Sequence, residues 1–206
     1  MKSFVSFANE LKSLLTTIVA SHELHAKWLN TLSYLENCGA RKIAACQHPT
    51  LVKEEILKHA AEEFRHAHHL KRQILRVPSR QLPDYSLPHI VGGVTSLNYL
   101  NALDIGTCRY LSRIAGLSSN SIREAVYLLV TYAIELRAGE LYTIYDEVLR
   151  QVNSRVMVKS IILEEEEHLN EMRKELEQLP SGLLYAEDIC AIEGALCRKW
   201  LDGLIL

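Results

Sequence analysis

The chain has 206 residues, 48% hydrophobic and 23% charged, with 23 lysines and arginines against 25 acids and a formal net charge of −2. It is too apolar for disorder, too nearly neutral for the basic footprint of a nucleic-acid-binding protein, and, with nine glycines and five prolines, too poor in turn residues for an all-β sandwich or barrel. The five cysteines form no C-x-x-C pair, which excludes a zinc-ribbon or rubredoxin-type module and predicts reduced thiols in a cytoplasmic protein; no run of ~20 apolar residues offers a membrane span.

In chain order, Phe4, Phe7, Leu11, Leu14, Leu15 and Ile18 recur at helical spacing and predict a first helix from Phe4 to about Ala20. Ser21 is a cap for a second helix that reaches about Gln47. His48-Pro49-Thr50 breaks it, and Thr50 is the expected cap of a third helix ending near Leu75, with Glu54 and Glu55 in its first turns. Pro78, Pro83, Pro88 and Gly92-Gly93 mark an irregular crossover, within which Thr95 or Ser96 opens a helix that lasts to about Ala115 and ends at Gly116. Ser121 and Glu124 form a capping-box pattern that opens a long helix to about Gln151. After a turn at Asn153-Ser154, a further helix runs to about Gln178 and stops at Pro180-Ser181-Gly182; a last one covers about 186–206.

The expected fold is therefore all-α and a single domain over 1–206: a four-helix bundle of two antiparallel hairpins, about 22–76 and 121–178, joined by one long crossover at about 77–120 and flanked by extra helices. The hairpins form a weak twofold repeat. The C-terminal helix, with Ile189, Ile192, Leu196, Trp200 and Leu204, reads as a packing helix or a homodimer surface.

Each hairpin carries one Glu-x-x-His: Glu63 with His66, and Glu165 with His168. Residues three apart on a helix share a face, so each motif presents one carboxylate and one imidazole together. The plain alternative for Glu164–Glu167 is a solvated acidic face. Glu36 lies level with the first motif across its hairpin, on an apolar stripe with Leu29, Leu32, Gly39, Ala40 and Ile43, where a carboxylate is costly unless paired or metal-bound. In the second hairpin Glu140 fits the level better and Glu135 fits the face better. The repeat favours Glu135, since small residues follow it one turn on at Ala138-Gly139 as they follow Glu36 at Gly39-Ala40. The resulting set is Glu36, Glu63, His66, Glu135, Glu165 and His168. Four carboxylates and two imidazoles suit two hard-to-intermediate ions, a pair of Fe ions or a Mn/Fe pair. His22 and His25 lie too far along the stripe to join them. His69 shares the His66 face and is placed near a pocket, whereas His68 is placed on the surface. Tyr34, Tyr127, Tyr132, Tyr142 and Tyr145 are read as core.

On these motifs, over about residues 22–178, the sequence resembles the ferritin-like di-iron carboxylate superfamily. The resemblance implies that Glu63 and Glu165 bridge the metals, that Glu36 and Glu135 are terminal ligands, and that His66 and His168 bind one iron each. The long first hairpin and added helices look more like single-chain oxygenases than cage ferritins. Ile134-Glu135 with its downstream tyrosines is similar to aldehyde-deformylating oxygenases. Ile134–Glu140 is also similar to tRNA-modifying hydroxylases, in which Glu140 would be the ligand, although Arg41 stands where the first hairpin would need the matching acid. The implied activity is that of an oxygenase or hydroxylase using O2, a small organic substrate and an electron donor. The alternatives are a ferroxidase or peroxide-scavenging protein, and a non-catalytic helical interaction protein.

Overall fold

A computed structural model describes residues 4–48, 50–79, 81–114 and 119–204, with the side chains of 119–121 set aside. The described residues are all-helical and contain no strand. Seven α-helices follow in order: α1 (Ala8–Ala20), α2 (His22–Cys46), α3 (Glu54–Gln73), α4 (Gly93–Ile114), α5 (Ser119–Gln151), α6 (Lys159–Gln178) and α7 (Gly182–Gly203). α2 packs along α3, and α5 along α6, as the two expected hairpins; α4 and α7 pack on each other and on α5, and α1 lies on α5 and α2.

Several ends differ from expectation. α1 begins at Ala8 rather than Phe4, because Glu140 accepts hydrogen bonds from the Ser6 hydroxyl at 2.5 Å and the Phe7 amide at 3.1 Å and holds residues 4–7 out of helix. Ser21 does cap α2, accepting from the Leu24 amide at 3.4 Å. Thr50 caps nothing: its amide donates to His48 Nδ1, and α3 starts after Lys53. α4 starts at Gly93, ahead of Thr95, and α5 at Ser119, so Ser121 lies inside the helix and not at its cap. Gly116 falls outside the described residues. α7 starts four residues before Ala186, at a glycine the packing requires: a Cβ on Gly182 would stand 2.3 Å from the Leu176 carbonyl oxygen.

α5 contributes to both apolar clusters of the core: Leu141, Tyr142, Tyr145 and Leu149 lie in one, Leu128 and Tyr132 in the other, and Ile134 packs against both, which suits a helix contacted by α1, α2, α4, α6 and α7. Trp28 stacks on Trp200, and Trp200 on Tyr99, with centroid distances of 5.9 and 5.1 Å; this fixes α7 against α2 and α4. The C-terminal helix is thus a packing element.

Polar residues on α2 secure the crossover. Asn30 donates to the carbonyls of Asp84 and His89, Thr31 Oγ1 accepts from the Val91 amide at 2.8 Å, and the Ser33 hydroxyl meets that of Tyr85 at 2.9 Å. These three side chains are buried, and their hydrogen bonds offset the cost of desolvating them. A second buried anchor joins α5 to α7: Arg137 donates from Nε and Nη2, one edge of its guanidinium, to the two carboxylate oxygens of Glu193 at 2.9 and 2.8 Å, and also bonds to Glu140 through Nη1 and to the Val5 carbonyl. All five cysteines are free. No helix among the described residues is long and apolar enough to cross a membrane.

Candidate metal centre

The six residues singled out in the sequence meet midway along the two hairpins. Glu63 is 5% exposed, His66 2%, Glu135 4%, Glu165 3% and His168 1%; Glu36 is partly buried beside them. Their donor atoms form two overlapping groups, each tight enough to hold a metal ion. One is Glu36, Glu63, His66 and Glu165; the other is Glu63, Glu135 and His168 with His59. Glu63 belongs to both. Its Oε2 lies 3.8 Å from His66 Nδ1, and its Oε1 lies 3.4 Å from His59 Nε2 and 3.6 Å from His168 Nδ1. Glu165, which the resemblance made a second bridge, has Oε1 3.1 Å from His66 Nδ1 in the first group and also interacts with Glu135 of the second.

Glu140 does not join the centre. It turns to Arg137 and to the start of α1, leaving Glu135 as the acid of the second hairpin. The level argument misplaced it for a physical reason. Residues 152–158 are non-helical, and Val156 and Val158 within them are buried in the core. Counting equal numbers of helical residues back from a two-residue turn therefore does not apply to this hairpin, because non-helical residues advance by more than the ~1.5 Å of a helical one.

Sequence reasoning missed His59. It precedes Glu63 by four residues and His66 by seven, a helical-face spacing that was visible. His59 Nε2 is 3.1 Å from Glu135 Oε1, and its Nδ1 is 3.2 Å from the Tyr127 hydroxyl. Glu62 and Glu164 were also missed. Each is the acid just before its motif's glutamate, and each crosses to the other helix: Glu62 Oε2 is 2.8 Å from His168 Nε2, and Glu164 Oε2 is 2.8 Å from His66 Nε2. An Nε2–H donated to these carboxylates leaves the Nδ1 lone pair of each imidazole facing the centre. Tyr142, read as core, is buried and also donates its hydroxyl to Glu36. The solvated-face alternative holds for part of the acidic run, since Glu166 and Glu167 are exposed and Glu167 pairs with Lys58. His25 is a structural partner of Tyr145 at 2.7 Å, and His68 is exposed as expected; His69 bonds to the Met157 carbonyl and is not among the residues lining the cavity beside the centre.

Five buried donor atoms make only ion-pair approaches of 3.1–3.8 Å to one another and to neighbouring donors, or no contact at all, and none makes a well-formed hydrogen bond: Glu63 Oε1, His66 Nδ1, Glu135 Oε2, Glu165 Oε1 and His168 Nδ1. Buried polar atoms are ordinarily satisfied. Five such atoms distributed over the two groups fit bound cations. The proton equilibria agree. Burial and the neighbouring carboxylates push Glu36 and Glu165 well above the usual carboxylate range. Burial likewise pushes Glu135 up to about 8, aided by the charges of Glu63 and Glu36. Burial also opposes ionisation of Glu63, yet hydrogen bonds from His59, His66 and Glu36 hold it below the ordinary value. Burial disfavours the charged form of His66, but its bonds to Glu165 and Glu63 raise it to about 12. Protons shared among these groups therefore do what a metal would do more completely.

A cavity of about 100 Å³ opens onto the centre from the α2–α5 side. Glu36, Glu63, Glu135 and Glu165 form one wall, and none of the three histidines reaches it. Leu32, Leu35, Ile43, Leu100, Val130 and Ile134 are among the apolar residues of the rest. Its two cations, Lys42 and Arg137, are neutralised by Asp104 and by Glu193 with Glu140.

Comparison with protein-family models, curated proteins and solved structures gives no match. The class defined by fold and site is accordingly an all-helical protein with a buried Glu/His cluster that can hold metal, compatible with a ferritin-like fold.

Proposed function

We propose that this chain is a ferritin-like, non-haem di-iron oxidoreductase that activates O2 for oxygenation of a small apolar substrate. The observation that carries the reading is the convergence of four carboxylates and three imidazoles, with five buried donor atoms making no well-formed hydrogen bond, beside an apolar cavity. The donor set fits iron, alone or with manganese: carboxylates and imidazoles in mixture, and no thiolate among them. Glu36, Glu63, His66 and Glu165 would hold one ion, and His59, Glu63, Glu135 and His168 the other. When bound, such a pair supplies the O2-binding site and the redox capacity that side chains lack.

The protein's own part is orientation and exclusion. Glu62 and Glu164 fix the imidazoles, and Tyr142 fixes Glu36. The apolar walls hold a neutral substrate against the carboxylate side. Insertion of one oxygen atom into a C–H bond leaves the other as water, and requires two electrons and two protons from a separate reductant. The cavity favours this reading over iron storage or oxidation, in which Fe²⁺ is the substrate and an apolar chamber beside the metals has no use.

Anaerobic loading with Fe²⁺ tests the reading. Two iron ions per chain are expected, with near-ultraviolet absorption on exposure to O2 that is lost in Glu63→Ala and Glu165→Ala. Protein that binds no iron, and whose thermal stability is unchanged by those substitutions, overturns it in favour of a structural helical domain.

A further inference from the structure

We propose that the two metal positions are chemically unequal, that His59 makes them so, and that in a mixed supply Fe²⁺ takes the His59 position while Mn²⁺ takes the Glu36 position. The inference rests on the paired-metal reading above and adds to it an identity for each position. The position on the His59 side has two imidazole nitrogens, His59 Nε2 and His168 Nδ1, with Glu135 and one oxygen of Glu63. The position on the Glu36 side has a single imidazole nitrogen, His66 Nδ1, with Glu36, Glu165 and the other oxygen of Glu63. The difference between the two positions is therefore one imidazole nitrogen.

The geometry of His59 is that of an oriented donor and not of a spare core histidine. It is 3% exposed. Its ring stands 4.2 Å from that of His168, and Tyr127 holds its Nδ1, so Nε2 is the nitrogen left for the centre. No imidazole occupies the equivalent place on the Glu36 side. There the neighbour of Glu36 is a tyrosine hydroxyl, and the small residue Gly39 lies against Glu63 Oε2 at 4.0 Å from where a Cβ would sit. Nitrogen donors raise the affinity for Fe²⁺ over Mn²⁺, whereas carboxylates suit Mn²⁺ well. Every N/O site binds Fe²⁺ somewhat more tightly than Mn²⁺, so selectivity shows only when each metal is limiting. The difference of one imidazole then decides which position the scarcer iron fills.

The test gives metal-free protein one equivalent each of Fe²⁺ and Mn²⁺ without oxygen, and reads each position by anomalous scattering at both absorption edges. The expected result is an Fe:Mn ratio at the His59 position at least about tenfold higher than at the Glu36 position. His59→Ala should bring the two ratios to within about twofold. Because that variant opens a hole in the core, Glu36→His is the complement: it should raise the iron share at its own position. Equal ratios at both positions in the unaltered protein overturn the proposal while leaving the paired-metal reading intact, as does a ratio indifferent to both substitutions. Failure to bind either metal overturns both.

Discussion

Loading the centre with metal must expel protons, and the burial of its acids predicts how many. In the metal-free cluster burial and mutual repulsion raise Glu36, Glu135 and Glu165 and so favour their protonated forms, while hydrogen bonds favour an ionised Glu63 and a charged His66. With those three acids protonated, one anion and one cation leave the cluster neutral. Two divalent ions with four ionised carboxylates and neutral imidazoles are neutral as well. The exchange of one state for the other releases the protons of Glu36, Glu135, Glu165 and His66, about four per pair of metals. Metal competes with protons, so affinity rises with pH. The overall two-metal constant should climb by up to about 10⁴-fold per pH unit between about pH 6 and pH 8. The slope should ease above about 8, where Glu135 gives up its proton unaided. Calorimetric titration with Mn²⁺ in buffers of differing ionisation enthalpy counts the protons directly. Release of fewer than about two per metal pair would show that the carboxylates are already ionised, and would refute the account of how the core tolerates them.

Removing the crossed acids, as Glu62→Ala or Glu164→Ala, should leave the fold intact and weaken metal binding by about 10–100-fold, measured by competition with a chelator; an unchanged affinity would mean that the histidines need no orientation. Glu193→Ala leaves Arg137 buried with only Glu140 as an acidic partner, so it should cost about 3 kcal/mol in urea unfolding; a cost under about 1 kcal/mol would mean that water or local rearrangement satisfies the guanidinium. Burial, with the charge of His22 adding to it, lowers His25 to about 4 from a reference value of 6.5. The unfolded chain therefore binds the proton first. Stability from this residue is complete above about pH 6.5 and is lost as pH falls through about 4, a loss on the order of 3 kcal/mol. His25→Phe should flatten the acid limb of the stability profile, and an unaltered limb would exclude His25 as its source. Ala138→Leu projects into the cavity and should abolish its uptake of xenon under pressure, read by anomalous scattering, without altering the metal content; persisting xenon would place the apolar chamber elsewhere.

What the sequence made legible follows from what helices make periodic. Glu63 with His66, Glu165 with His168, and the stripes of Glu36 and Glu135 are statements about one helix face each, and the structure brings these side chains together. Hairpin level was a poorer guide. It assumes a uniform rise per residue, and the non-helical residues 152–158 before α6 break that assumption, which is why face and not level separated Glu135 from Glu140. Helix starts were misread wherever a distant side chain sets them. Glu140 holds the residues before α1, and nothing local to Phe4 announces it. Glu62 and Glu164 were hidden in plain acidic runs. Their partners lie on another helix, and a single sequence does not record which of two adjacent glutamates turns inward and which crosses over. His59 was different: its spacing to Glu63 and His66 was readable, and only the search for a two-residue motif obscured it.

The distribution of donors around the centre assigns different work to its two sides. All three imidazoles come from α3 and α6, and each is held from behind, by Glu62, by Glu164 or by Tyr127. The cavity lies opposite, where only carboxylates face it. A ring fixed at both nitrogens has little freedom, while a carboxylate on a stem of two methylenes can turn, exchange a proton for a metal, or move from one ion to two. Under the proposed function, metal, O2 and substrate therefore meet the protein on its adaptable side, and the histidine side sets the coordinate frame. Substitutions at Glu62, Glu164 and Tyr127 should then alter how tightly metal is held, and those at Glu36 and Glu135 what the bound metal does. An opposite pattern, with oxygen reactivity lost at full metal occupancy in Glu62→Ala but retained in Glu36→Gln, would place the reactive face among the histidines and contradict this division.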